Sequence, residues 1–276
     1  LFRLGLVVGP AAVFVGTASV AFGLLLGFGL GCCTRTPTIG PIPQCPEPTD
    51  EMLLEPKPEN WISFRNGYAL WGYSSLDQID VDSVHELQLV WSRAMNKGYQ
   101  EVEPIVYDGV MFLANVEDIV QALDATTGEE RWHTEIASFE EQYFSTMAPI
   151  VVGDHLLVGT GNDLDAPGFL QSFDPATGEL QWKFYTVPMN LNDPGLDTWP
   201  TLDAARHGGG QVWVPGAYDP ETNYYIFGTG NPTPGYTGVA RLGDNLFTCT
   251  LIAVDVETGE MAWYFQTSPH DTHDWD

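Results

Sequence analysis

The sequence predicts an all-β fold: a β-propeller of four-stranded antiparallel blades held together by docking tryptophans. Three observations predict it. First, one frame recurs three times. An Asp, then Thr-Gly-Glu, then Trp stand at identical offsets in Asp124…Thr127-Gly128-Glu129…Trp132, Asp174…Thr177-Gly178-Glu179…Trp182 and Asp255…Thr258-Gly259-Glu260…Trp263. An internal repeat decides architecture before any single residue does. Second, short apolar runs separated by turn residues surround each frame. Third, the 276 residues include 29 Gly and 20 Pro, which suits many short strands and tight turns, and helical periodicity is nearly absent after residue 50.

The elements follow in order. Pro104-Ile105-Val106-Tyr107 reads as a strand, Asp108-Gly109 as a two-residue hairpin turn, and Val110-Met111-Phe112-Leu113 as the second strand. Ile119–Leu123 is the third. Thr127-Gly128 turns the chain, and Arg131–Thr134 is the fourth. The next unit repeats the order: Pro149–Val152, the turn Gly153-Asp154, His155–Val158, Phe169–Phe173 and Leu180–Phe184. A blade cannot bury both faces alone, so a Trp at a fixed offset is expected to pack on the neighbouring blade. Residues 59–276 have room for about four such blades.

Ahead of them lie two other zones. Leu4 to Gly31 carries no charge and follows Arg3. It is long enough for a hydrophobic helix that spans a bilayer, and it also fits a signal peptide. The Leu30-Gly31-Cys32 step loosely matches a lipid-attachment box. Residues 1–33 are therefore expected to be a signal peptide or membrane anchor that places the rest outside the cytoplasm, in a bacterial periplasm. Residues 34–58 read as a Pro-rich linker. The balance of 10 Lys+Arg against 37 Asp+Glu, a net charge of −27, excludes a nucleic-acid binder, which needs a basic footprint. Four cysteines show no zinc-type pairing, and Cys249 in Phe247-Thr248-Cys249-Thr250-Leu251 is expected to be a buried strand thiol.

Several motifs are more specific than the repeat. Trp61, Arg65-Asn66-Gly67 and Trp71-Gly72-Tyr73-Ser74 look like the entry segment of a known family, and Val81 to Trp91 looks like that family's first long strand. His207-Gly208-Gly209-Gly210-Gln211-Val212-Trp213, Gly228-Thr229-Gly230-Asn231-Pro232 and Pro269-His270-Asp271-Thr272-His273-Asp274 follow. Together they resemble the pyrroloquinoline-quinone (PQQ)-dependent alcohol and methanol dehydrogenases over nearly all of residues 59–276. That resemblance implies a fragment of an eight-bladed ring, with quinone and a calcium or lanthanide ion at its axis. It implies oxidation of an alcohol to an aldehyde, with electrons passed to a cytochrome c or a membrane quinone.

The resemblance also implies roles. Asp274 matches the catalytic base, a carboxylate beside metal and substrate. Asn231 matches an amide metal ligand, whose carbonyl oxygen suits a hard cation. Asp163 stands where the family has a glutamate ligand, one methylene longer. Asp276 stands two residues past the base, where lanthanide-using members carry an extra aspartate. Asp163, Asn231, Asp274 and Asp276 are thus the expected metal set. Trp213 matches the tryptophan that stacks on the quinone, Thr146 a quinone-contacting threonine, and Glu101 a glutamate near the quinone acid groups. Two family features have no counterpart: a pair of adjacent cysteines and an arginine beside the quinone. Ala122–Trp132 runs straight into Phe139–Pro149, as if about one blade were absent there. A non-enzymatic propeller scaffold and an inactive homologue are the alternative readings.

Overall fold

The computed structural model describes residues 50–97, 101–115, 119–162 and 164–274. The expected hydrophobic helix and most of the linker lie outside them. Among the described residues no helix is long and apolar enough to cross a membrane. Twelve strands form three antiparallel sheets of four, each a meander. The first contains β1 (Ile105–Tyr107), β2 (Val110–Asn115), β3 (Ile119–Asp124) and β4 (Glu130–Glu135). The second contains β5 (Ile150–Val152), β6 (His155–Gly159), β7 (Phe169–Phe173) and β8 (Leu180–Tyr185). The third contains β9 (Ala217–Asp219), β10 (Tyr224–Gly228), β11 (Thr250–Asp255) and β12 (Met261–Gln266). Two short helices, α1 (Asp50–Leu54) and α2 (Leu202–Arg206), stand outside the sheets.

The repeated frame builds the same turn three times. Asp124 Oδ1 accepts the N–H groups of Thr126 and Thr127 at 3.0 and 2.9 Å, and Asp174 Oδ1 those of Ala176 and Thr177 at 2.7 and 2.9 Å. Asp255 Oδ1 takes Thr258 N–H at 3.0 Å. These side-chain bonds stand in for backbone partners and pin the bend between third and fourth strands. The following glycines have φ of +72°, +76° and +70°, a region that L side chains rarely adopt.

The same glycines receive the tryptophans. A Cβ on Gly178 would come within 2.6 Å of the Trp132 ring, and one on Gly259 would meet Trp182 at the same distance. Trp132 Nε1 donates to Pro175 O at 3.0 Å and Trp182 Nε1 to Val256 O at 2.8 Å, so each indole spans two sheets. Trp91 repeats this arrangement one step earlier, against Gly128 and with Nε1 bonded to Ala125 O at 3.1 Å. Residues 59–104 form no sheet of their own among the described residues, yet they supply the tryptophan that docks on the first one. Trp263, on β12, differs from its two counterparts: it is 42 % exposed and has no such carbonyl among the described residues.

The core sits between sheets. Val151, Leu156, Val158 and Phe169 face the first sheet, where they meet Phe112, Val120 and Ala122. Ile150, Val152, Leu157 and Leu170 alternate with them and face the third, where they meet Tyr225, Phe227, Ile252 and Val254. The middle sheet therefore carries apolar residues on both faces, with His155, Gln171 and Ser172 as the buried polar positions of its inner strands.

Two expectations are corrected. Val81–Trp91 is not a strand. It contains a single 3₁₀ turn at Val84–Glu86, with extended chain after it. Asp80 Oδ1 accepts the N–H groups of Asp82 and Ser83 at 2.9 and 2.8 Å, and this local capping outcompetes a ladder. Cys249 is not in a strand either. It lies just before β11 with φ of +47°, half-buried, and its Sγ is 3.6 Å from Asp271 Oδ2. Burial and the adjacent Asp271 carboxylate push its thiol up to about 12.

Candidate active site

In an antiparallel meander the chain enters the first and third strands, and leaves the second and fourth, at one end of the sheet. The hairpin and Thr-Gly-Glu turns occupy the opposite end. A cavity of about 980 Å³ lies at the first of these ends. Glu101 precedes β1, Thr146 precedes β5 and Trp213 precedes β9. Asn231 follows β10, Asp274 follows β12, and all five line the cavity. Residues far apart in sequence thus converge because every blade delivers its loops to the same side.

The glycine-rich segment sets two of them. Gly210 N–H donates to Asn231 O at 3.1 Å, Gly230 N–H to Gln211 O at 2.8 Å and Thr233 N–H to Gly208 O at 3.0 Å, so the stretches carrying Trp213 and Asn231 run side by side. Gly209 has φ of +75°, and a Cβ there would lie 2.9 Å from Asn231 O, so a side chain would push the two stretches apart. Trp213 is held by its backbone, since Thr146 Oγ1 donates to Trp213 O at 3.1 Å. Its indole Nε1 rests against Gly230, and the side chain keeps 38 % exposure at the cavity. An open indole face is suited to a flat conjugated ring.

Asn231 Nδ2 donates to Pro232 O at 3.4 Å, and its Oδ1 accepts no hydrogen bond among the described residues. That leaves a neutral oxygen donor on the cavity wall. Tyr236 Oη, five residues on, lies 3.5 Å from Asp274 Oδ2, and the Asp274 side chain is exposed. The Asn162 amide ties down the next wall: Oδ1 accepts Leu164 N–H at 2.8 Å and Nδ2 donates to Glu141 O at 2.9 Å. This loop brings Asp165 to the cavity. Asp163 and Asp276 lie outside the described residues. Among the described residues no three His, Cys, Asp or Glu side chains converge closely enough to hold an ion. What the cavity does present is oxygen only, an amide and carboxylates, and that chemistry fits a hard cation rather than a thiophilic one. Thr146, Trp213, Asn231, Glu101 and Asp274 thus line one cavity.

The sequence reading missed Gln211, Tyr236, Asn162 and Asp165. Gln211 is buried and bridges loops, accepting from Thr160 Oγ1 at 3.1 Å and donating to Ala166 O at 2.8 Å. Asp165 and Asn162 flank the expected ligand position, and Tyr236 lies five residues past Asn231, so proximity in sequence to the motifs was the available signal.

Three antiparallel four-stranded sheets, with an oxygen-lined cavity and an exposed indole at their shared loop end, define a propeller-type fold. The chain belongs to the glucose/ethanol/alcohol dehydrogenase β-propeller family (PQQ), whose model matches residues 61–142 and 133–276. The two matches overlap at residues 133–142, from the end of β4 into the segment before β5. Quinoprotein alcohol dehydrogenase PedH of Pseudomonas putida is 29% identical over 298 positions, covering 82% of this chain and 49% of the relative. That alignment is longer than the 276-residue chain, so the relative carries inserted residues. The dehydrogenase subunit of the quinone-type alcohol dehydrogenase of Acetobacter aceti is 30% identical, over 79% of this chain and 40% of its own length. Among solved structures, a europium-containing methanol dehydrogenase matches with a TM-score of 0.66 at 26% identity, over 83% of this chain and 52% of its own. The chain spans about half the length, or less, of the curated relatives it matches.

Proposed function

We propose that this chain is part of a quinoprotein alcohol dehydrogenase: a PQQ- and metal-dependent enzyme that oxidises an alcohol to an aldehyde. The three sheets are read as blades of a larger, eight-bladed ring. The observation that carries the reading is the convergence of Glu101, Thr146, Trp213, Asn231 and Asp274 on one cavity from five separate loops. A pure scaffold has no need to place a free amide oxygen, a carboxylate and an open indole together.

When bound, the quinone would accept the alcohol's carbon-bound hydrogen together with two electrons, and the cation would withdraw charge from the quinone carbonyl. The chain's own residues do the rest. Asp274 accepts the alcohol's hydroxyl proton, and Tyr236, beside Oδ2, helps orient that carboxylate. Asn231 Oδ1 would supply a neutral cation ligand and Asp163 and Asp274 anionic ones, while Asp276, two residues past the base, leaves calcium and a trivalent lanthanide both open. Trp213 forms a flat floor, which Thr146 keeps in place through the backbone. Glu101 lines the same cavity near the expected quinone edge. Electrons leave to a cytochrome c or a membrane quinone, and residues 1–33 direct the propeller to the periplasm as an anchor or signal.

The test uses the whole protein without its first 33 residues, reconstituted with PQQ and either calcium or a light lanthanide. Dye reduction by primary alcohols is the readout. Asp274→Asn is expected to lower turnover by about 10³-fold, within the range for loss of a general base, with the unfolding midpoint unchanged. Absence of quinone binding with both ions would sink the reading and leave a scaffold or an inactive homologue. The short joint between β4 and β5, with neither the cysteine pair nor the arginine, would be the first cause to examine.

A further inference from the structure

Behind the wall that carries Asp274 lies a buried cation that the chemistry above does not use. Arg241 is 2 % exposed. Its Nη1 donates to Asn245 Oδ1 at 2.8 Å, and Asn245 Nδ2 returns a bond to Arg241 O at 2.7 Å, which fastens the guanidinium to its own loop. The other end of the fork reaches two different segments. Nη2 donates to Pro234 O at 3.2 Å and to the backbone oxygen of Asp271. Pro234 belongs to the cavity wall that holds Asn231 and Tyr236. Asp271 begins the turn that ends at Asp274, and its Oδ1 accepts the N–H of His273 at 2.8 Å. The Asp271 side chain is itself buried, at 6 % exposure, and its negative charge acts on Arg241.

An interior guanidinium is expensive, and its burial is weak evidence that it adds stability. Here the cost is not even fully offset, because Arg241 Nε has no hydrogen-bond partner among the described residues. The planar fork reaches carbonyls on two loops at once, which a lysine ammonium does with poorer geometry.

We propose that Arg241 is a positioning residue: it sets the spacing between the Asn231–Tyr236 wall and Asp274 by tying Pro234 and Asp271 to one rigid fork. Its catalytic consequence rests on the dehydrogenase reading. The positioning itself does not.

Arg241→Lys and Arg241→Met in the whole protein test this, with the lysine variant keeping the charge in case the methionine variant fails to fold. The primary readout is amide hydrogen exchange. In Arg241→Lys, segments 231–237 and 269–274 are both expected to exchange several-fold faster while β10 and β11 keep wild-type protection. Europium affinity, read by its luminescence, is expected to fall about tenfold, as for loss of a supporting residue behind a metal ligand. In the loaded enzyme, kcat is expected to fall more than KM rises. A variant with a lowered unfolding midpoint but wild-type exchange in both segments and wild-type europium affinity would overturn the proposal and leave Arg241 a packing residue. If the wild type binds neither quinone nor ion, the dehydrogenase reading fails separately, and exchange in the two segments alone decides whether Arg241 positions them.

Discussion

The two ends of the sheets obey different rules. At the turn end, three units use one solution: an Asp oxygen capping the N–H groups that follow it, a glycine in the left-handed region, and an indole from the preceding segment laid on that glycine. At the loop end nothing repeats. The first sheet is entered through Glu101, the second through Thr146 and the third through Trp213, while Asn231 and Asp274 leave the third. The contrast shows how a repeat protein separates two tasks. Docking geometry must be the same at every seam, so the residues that set it are repeated. A cavity shared by several blades needs each blade to supply something different, so the other end is released from the repeat.

The separation is sharpest in its energetics. Trp182→Ala removes an indole that lies on Gly259 and donates to Val256 O at 2.8 Å. A loss of about 3 kcal/mol is expected, the low end for truncating a large aromatic that is only partly buried. Denaturant unfolding of the whole protein measures it. The affinity of the cavity for its ion is expected to change little. A loss below about 1 kcal/mol would mean that the seam is held by Leu157, Leu170 and Phe227 alone, and the comparison between the two ends would lose its energetic basis.

Legibility in the sequence follows the same division. The strands of the first two sheets could be read to within a residue or two, because Asp108-Gly109, Gly153-Asp154 and the Thr-Gly turns bound runs that are mostly apolar. The tryptophans could be assigned to packing because their offset from the turn is constant. Val81–Trp91 misled, since β-branched and apolar residues there have no neighbouring strand and a local Asp80 cap takes over. At the loop end, Asn231, Trp213, Thr146, Glu101 and Asp274 could be named only through a family resemblance. Nothing in their spacing says that five loops share one end. Tyr236 carried no signal beyond its nearness to Asn231, and Arg241 carried none: one is an exposed loop tyrosine, the other a charge hidden by folding.

A change on the cavity side should move binding and leave stability alone. Asn231→Ala removes the free Oδ1, while the backbone bond from Gly210 to Asn231 O remains available. Calcium or lanthanide affinity of the whole protein, followed by calorimetry, is expected to weaken by about tenfold, or roughly 1.4 kcal/mol. The unfolding midpoint is expected to stay within about 0.5 kcal/mol of wild type. An unchanged affinity would remove Asn231 from the ligand set and shift attention to Asp165, which lines the same cavity.

The smallest effect expected lies back at the turn end and concerns pH. Burial alone would raise the pKa of Asp124, but the Arg131 guanidinium at 2.9 Å and the N–H groups of Thr127 and Thr126 outweigh it, so the carboxyl is held below its ordinary value. A depressed carboxyl means that the unfolded chain binds more protons than the folded one in the window below pH about 4. Its stabilising contribution is therefore complete above that window and is lost as pH falls through it. Asp124→Asn keeps an oxygen for the Thr126 and Thr127 amides but abolishes the titration and the ion pair. The difference in unfolding free energy between wild type and variant is expected to be about 1 kcal/mol at most near neutrality, as for a partly exposed pair, and to shrink toward acid pH. A difference that stays constant from neutrality down through that window would show that the turn is held by its backbone and glycine alone, with the aspartate charge adding nothing to the most repeated feature of the fold.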